Sequence, residues 1–457
     1  MINHITIIII IIIIYLYAYI NLRAKKTELI KEYSKIQSEL NLNYTNNINN
    51  EIRIGIYTVS LSDGGLQRIT SQLINHLAKK KLFKIYLFSQ KEKEKNEYEI
   101  SDNIKRVIIK NTKDVKSLIG NIYKNKIELF IHQFPISKEI RALNNLKEVK
   151  TIFYIHSSFF YWFYSTYYKV LYIYEEYKNS KYIISLIPLE NNYLFKKWGI
   201  KSVLFENFLA YDYNSTIPSD LSKKNILLIG RGRSIFKRFE IGIESIEYIK
   251  NQIPKVKLMI VSKVIGTEYL QNYINNLDLN NNIKIVNYTS EPSIYFKEAS
   301  LHFLTSISES YSLALSETKI HGIPTIILGL DYLALAQKGT IIIYDDSPET
   351  LAKESLKILS NEIYKKKLSK KARLSMKKFN NSNLIKKWEK LLISVYNDDK
   401  NYNHYFQETK YNTKKLNHIL IRQINLLKKR IPELKNISVS NLESLSYILN
   451  LVKILEK

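Results

Sequence analysis

From Glu51 onward, short runs of β-branched and aromatic residues alternate with longer stretches whose apolar positions recur every three or four residues. The runs IRIGIYTV (52–59), KIYLF (84–88), RVIIK (106–110), IELFIH (127–132), TIFYIH (151–156) and YIISLI (182–187) predict strands. None alternates strictly between apolar and polar residues, which is the pattern of strands covered on both faces. The pattern then restarts. NILLIG (225–230), KLMIVS (257–262), IKIVNY (283–288), LHFLTS (301–306), PTIIL (324–328) and TIIIY (340–344) predict further strands, with helices over 237–250, 265–277, 312–321, 349–360 and 362–378. Strands alternating with helices predict an α/β protein with parallel sheets. Two such units follow one another, joined near 208–223, where Pro218 and several Ser and Asp residues suit a linker. One more amphipathic helix is expected over 383–396, followed by a basic, helical tail.

Upstream, Ile5 to Ile20 is almost unbroken apolar sequence, extended by Asn21 and Leu22. That approaches the ~20 residues a helix needs to cross a bilayer. Tyr15, Tyr17 and Tyr19 suit the lipid–water interface, and Arg23, Lys25 and Lys26 follow the run. A signal peptide would carry its positive charges before the run and small residues at a cleavage site. The alternatives are that and a buried core strand; the reading adopted is a single-pass anchor, with the remainder in the cytoplasm by the positive-inside rule. The expected order is an anchor over 1–22, a spacer over 23–50, α/β units over 51–215 and 216–382, a helix over 383–400 and the tail over 401–457.

Composition changes this picture little. The 457 residues fit two or three domains at about 100–200 residues each. Glycine occurs only 12 times, so each one left in place is informative about backbone geometry. The absence of cysteine excludes disulfides, thiolate catalysis and thiolate metal sites. The net charge of +27 is compatible with anionic partners, but lysine is spread along the chain and no nucleic-acid recognition module is visible.

In open parallel sheets, ligands bind beyond the carboxyl ends of the strands. Four such ends carry candidate chemistry. After the first strand, Gly64 and Gly65 open a helix and leave amides bare for a phosphate or substrate, or they make an ordinary tight turn. His156 ends the TIFYI strand, as a partner for a sugar hydroxyl or as a structural histidine. Arg231 and Lys237, six residues apart in a loop before a helix, form a cationic pair suited to a diphosphate, or a solvated surface. After LHFLTS, Glu309 lies in a loop and Glu317 eight residues further on, in a short helix ended by Gly322 and followed by Pro324. The amides of Ser312 and Leu313 start that helix, where its dipole favours an anion.

These four sites, in this order, resemble the group 1 glycosyltransferases (glycosyltransferase family 4, GT-B fold). The similar motifs are GG-x-x-R (Gly64, Gly65, Arg68), the strand-end His156, GR-x5-K (Arg231, Lys237) and E-x7-E (Glu309, Glu317) followed by G-x-P. The resemblance covers about 51–396. It implies two Rossmann-like domains facing a cleft and a nucleotide-sugar donor held by the second. It also implies transfer with retention of anomeric configuration, no obligatory metal, and an acceptor against the first domain. Carried over, Arg231 and Lys237 would bind the diphosphate, Glu309 the sugar hydroxyls, Glu317 the ribose and His156 the sugar near the reacting carbon. Gly64 and Gly65 would line a phosphate. Two departures stand out. Glu309-Ser310-Tyr311-Ser312 replaces the family's Glu-Gly-Phe-Gly, and Arg238 occupies a common glycine position, from which it is expected to point to solvent.

The expected function is a membrane-tethered hexosyltransferase acting on a glycan, lipid-linked or protein-linked acceptor. The alternative is a non-catalytic glycan- or nucleotide-binding scaffold of the same fold. Nucleic acid is not expected as a partner. A metal-dependent transferase of the other fold type is disfavoured, because Asp345-Asp346 reads as a strand–helix turn late in the second unit.

Overall fold

A computed structural model describes residues 51–398 other than 63, 110–114, 134–142, 144–145, 147, 157, 159–176, 179, 231–235, 263–266 and 288–291, together with 20, 27 and 31. The expected anchor (Ile20 apart), the spacer (apart from two residues) and the tail therefore lie outside the described residues, as does Arg231. No helix among the described residues is long and apolar enough to cross a membrane.

The chain divides into two compact units, one of residues 1–206 with 384–457 and one of residues 207–383. In the first, the strands are β1 (Ile52–Thr58), β2 (Phe83–Ser89), β3 (Lys105–Ile108), β4 (Leu129–His132), β5 (Lys150–Tyr154), β6 (Tyr182–Ser185) and β7 (Val203–Leu204). Their order in the sheet is β3-β2-β1-β4-β5-β6-β7, parallel throughout. The crossover helices include α1 (Gly65–Ala78), α2 (Val115–Lys124) and α3 (Pro188–Trp198). Pro188 opens α3 at a position where its missing N–H costs nothing, and Gly199 closes it.

The second unit holds β8 (Asn225–Ile229), β9 (Lys257–Ser262), β10 (Ile283–Asn287), β11 (Leu301–Leu304), β12 (Thr325–Leu328) and β13 (Thr340–Ile343). Their order is β10-β9-β8-β11-β12-β13, again parallel. Its helices are α4 (Phe239–Lys250), α5 (Glu268–Asn276), α6 (Ser293–Phe296), α7 (Leu313–Ile320), α8 (Pro348–Ser360) and α9 (Glu362–Met376). β8 explains why these strands show no alternation. Ile226 and Leu228 join one buried cluster, with Phe239, Ile246 and Leu351, whereas Leu227 and Ile229 join another, with Phe296 and Ile323. Both faces of the sheet are therefore dry.

The last described helix, α10 (Asn381–Tyr396), belongs to the first unit from Leu384 onward. Trp388 is fully buried there, with its ring edge-on to Tyr154 at 5.2 Å and to Phe205 at 4.9 Å, a packing role. The short β7 and α6 are absent from the sequence-level reading. A two-residue strand and a one-turn helix carry too few residues to show a period.

Candidate active site

In each sheet the first strand lies beside the fourth, so the strand order reverses between β1 and β4 and between β8 and β11. Adjacent crossovers leave in opposite directions at such a point, and a crevice opens beyond the strand ends. In the second unit, the loops leaving β8 and β11 carry Lys237 and Glu309.

These loops are laced together. The amide of Ile307 donates to the Phe236 carbonyl at 2.8 Å, and the Thr305 hydroxyl donates to the Lys237 carbonyl at 2.6 Å. The ammonium of Lys237 then meets Glu309 Oε1 at 2.5 Å, and the Ser306 hydroxyl donates to the same oxygen at 2.7 Å. Glu309 Oε2 takes no hydrogen bond among the described residues. Gly230 makes room for this arrangement: a Cβ there would lie 3.2 Å from both Cδ and Cε of Lys237 and 3.3 Å from the Phe239 ring. The lysine stem passes over the bare backbone of the strand end.

Arg238 overturns an expectation. It is not directed to solvent but is 5% exposed. Its Nε donates to the Thr305 carbonyl at 2.7 Å, and Nη1 donates to Asp346 at 2.8 Å in a buried ion pair. A guanidinium has five donors in a rigid fork, so it can satisfy strand-end carbonyls that a glycine would leave to water. Arg238 also holds φ at 49°, in the left-handed region that glycine adopts freely, and stands as N-cap of α4. Asp345 and Asp346 do lie in the turn between β13 and α8. Asp345 accepts from the Ser347 and Thr350 hydroxyls, while Asp346 serves the arginine.

After Glu309 the chain enters α7 through Ser312, which is 7% exposed and has φ 61°. The serine therefore holds a left-handed backbone at a position where the resembling motif has glycine, and α7 begins at Leu313 with no side-chain cap on its first amides. Glu317, 5% exposed, lies two turns behind Glu309, and its carbonyl accepts from His321 Nδ1 at 2.8 Å. Gly322, with φ 72°, ends the helix. Lys319 is buried and donates to the carbonyls of Leu335 and Gln337 at 2.7 and 2.6 Å, and burial pushes its amine down to about 7.

In the first unit, Gly64 caps α1 and Gly65 begins it; the Arg68 amide donates to the Gly64 carbonyl at 3.1 Å. Gln133, just past β4, donates to the Tyr57 carbonyl and to the Thr70 hydroxyl, tying α1 to both strands of the reversal point. His156 follows β5 with its ring 3.9 Å from that of Tyr154. Burial pushes its imidazole down to about 3, so it is neutral at physiological pH. Thus Lys237 and Glu309 meet directly; Ser312, Leu313 and Glu317 follow on the next helix; Gly64, Gly65 and His156 are in the other unit. Sequence reasoning missed Ser306, Tyr332, Asp346 and Gln133. All lie just past strand ends; Ser306 and Gln133 were within reach of the rule that found Glu309, whereas Tyr332 and Asp346 act through partners on other loops that only the strand order brings close.

Residues 215–375 match the family model described as Glycosyl transferases group 1. The chain is 26% identical over 176 residues to a poly(glycerol-phosphate) alpha-glucosyltransferase of Bacillus subtilis strain 168. That match spans 38% of this chain and only 26% of that relative. Among solved structures, a sucrose-phosphate synthase from Thermosynechococcus elongatus superposes with TM-score 0.64 at 15% identity, covering 76% of this chain and 100% of the other. Anabaena Alr3699/HepE, in complex with UDP-glucose, superposes with TM-score 0.61 at 13% identity, covering 75% and 100%. At these identities the likeness establishes the fold, the two-sheet α/β architecture of GT-B proteins.

Proposed function

We propose that this chain, a member of the group 1 glycosyl transferases through residues 215–375, moves a sugar from a nucleotide-sugar donor to a glycan, lipid-linked or protein-linked acceptor, with retention of configuration. The observation that carries the reading is the Lys237–Glu309 pair at the reversal point of the second sheet. In the reaction the bond from the anomeric carbon to the diphosphate breaks, one to an acceptor oxygen forms, and the proton of the acceptor hydroxyl passes to the departing diphosphate. The departing diphosphate needs cations and amide dipoles aimed at it.

Lys237 and the open amides at Ser312 and Leu313 would meet that need, joined by Arg231. Glu309 would accept from sugar hydroxyls through Oε2, and Glu317 would serve the ribose. The family motif assigns His156 to the sugar; a neutral imidazole there donates or accepts a hydrogen bond without adding charge. No residue in this scheme calls for a metal, so turnover is expected to survive EDTA. The apolar run at 5–22, followed by Arg23, Lys25 and Lys26, supports a membrane tether with the catalytic units on the cytoplasmic side. Extraction of the membrane fraction with alkaline carbonate tests the tether.

The test of the reaction is a screen of nucleotide sugars with the full chain, beginning with UDP-sugars because the Anabaena neighbour holds UDP-glucose. Turnover lost in both Glu309→Ala and Lys237→Ala supports the assignment; full turnover in both would refute it. A nucleotide diphosphate that raises the melting temperature, with no transfer from any donor, would point instead to a binding scaffold.

A further inference from the structure

α9 is unlike every other long helix of its unit. After Glu362 at its first position, which pairs with Lys365, α9 and the four residues beyond it (363–380) carry eight lysines and arginines and no further acidic residue. By contrast, α4 mixes Glu240, Glu244 and Glu247 with Lys250, and α8 mixes Glu349 and Glu354 with Lys353 and Lys357. Two of the eight serve the fold. Lys365 is buried and pairs with Glu362, and Arg373 donates to the carbonyls of Ile320, Tyr213 and Thr216. The other six, Lys366, Lys367, Lys370, Lys371, Lys377 and Lys378, are exposed, and among the described residues they form no ion pair. Between them lie Ile363 and Leu374, 84% and 51% exposed.

The arrangement around the helix is what gives these residues a meaning. At 3.6 residues per turn, Lys366, Lys367, Lys370 and Lys371 and the two aliphatic side chains occupy one arc of about 140°, with Ile363 and Leu374 along its midline and lysines on either side, and Lys377 and Lys378 follow directly after the last helical residue. The opposite arc holds the buried Lys365, Leu368, Ala372 and Met376. A chain rich in lysine and isoleucine scatters such residues over its surface, but it does not by that means keep acids off this arc or sort the aliphatic side chains to its centre. A narrow apolar line edged by lysines matches an anionic bilayer surface: the aliphatic groups enter the headgroup layer while the ammonium groups remain at phosphate level. A soluble polyanion would use the lysines and leave both aliphatic side chains in water.

We infer that the exposed face of α9 docks on an anionic membrane surface, laying the second unit against it. This inference does not depend on the donor-site assignment or on the N-terminal segment. The chain has no cysteine, so a single one introduced at Ile363 or Leu374 labels that position alone. The experiment attaches an environment-sensitive fluorophore to the full-length variants Ile363→Cys and Leu374→Cys. A control carries it at Tyr248→Cys on α4, beside Glu244 and Glu247. Each is titrated with vesicles of phosphatidylcholine, or of equal parts phosphatidylcholine and phosphatidylglycerol. The expected result is a blue shift at 363 and 374, only with phosphatidylglycerol and reversed by high salt, with no shift at 248. Replacing Lys366, Lys367, Lys370 and Lys371 by glutamine should raise the lipid needed for half the response about tenfold or more. The labels report the helix itself, so attachment elsewhere in the chain cannot imitate the result. No shift at 363 and 374, an equal shift at 248, or a response to soluble polyphosphate but not to vesicles would each overturn the proposal.

Discussion

The hydroxyl of Tyr332 accepts the main-chain N–H of Glu309 at 3.2 Å and donates to the carbonyl of the same residue at 3.0 Å. Tyr332 is wholly buried. One side chain thus satisfies both backbone polar groups of the residue whose carboxylate meets Lys237, and the loop cannot turn without breaking both bonds. Tyr332→Phe keeps the ring and removes the clamp. Each unpaired backbone group costs about 1–3 kcal/mol if it stays buried, and the loop can avoid that cost only by moving. Turnover is expected to fall about tenfold or more, chiefly in kcat, because misplacement weakens transition-state contacts more than donor binding. A change confined to melting temperature, with kinetics intact, would count against a positioning role.

The Arg238–Asp346 pair makes a second prediction. Removing one member of a buried ion pair leaves the other charge without compensation, at a cost of about 3–5 kcal/mol. Asp346→Ala is therefore expected to destabilise the unit strongly. Arg238→Gly with Asp346→Asn should recover much of the loss, since glycine takes the positive φ freely and asparagine carries no charge. Denaturant titration of the two variants gives the comparison.

Ser312 holds a left-handed backbone at a cost of about 1–2 kcal/mol for a residue with a Cβ. Ser312→Gly should be neutral or stabilising by about 1 kcal/mol and should keep turnover, whereas Ser312→Val should lose both stability and activity. Equal behaviour of the two variants in thermal melts and kinetics would contradict this account.

Glu190 gives the pH dependence. It is buried at the start of α3 and accepts from the Tyr177 and Ser185 hydroxyls, each at 3.3 Å. Burial pushes its carboxyl up to about 8, so between pH 4.5 and about 8 the folded chain holds a proton that the unfolded chain releases. Stability from this group is complete below pH 4.5 and falls as pH rises through that window. Glu190→Gln should raise the melting temperature near pH 8 and change little near pH 4.5. Melting curves across the range would expose an opposite slope.

Much of this architecture was legible in the chain because both sheets are covered on both faces: a run such as NILLIG has only one plausible fate. Glu309 and Lys237 were legible because they follow such runs. Arg238 was misread because an arginine in a lysine-rich chain is ordinarily solvated, and nothing local reveals an acid 108 residues away. Tyr332 was invisible for a related reason. Its partner lies 23 residues back, and only the adjacency of β11 and β12 brings the loops together. Residues recruited by a local pattern could be read directly; those recruited by strand order required the fold.

The interrupted first unit has a consequence for synthesis. Residues 207–383 are continuous and can fold as they leave the ribosome, but the first unit must wait for 384–396 to supply Trp388, Leu391, Leu392 and Val395. Until then the nascent chain presents Tyr154 and Phe205 uncovered. A premature stop near residue 380 would therefore damage the earlier-made unit more than the later one, and chaperone demand should peak while the second unit is being translated.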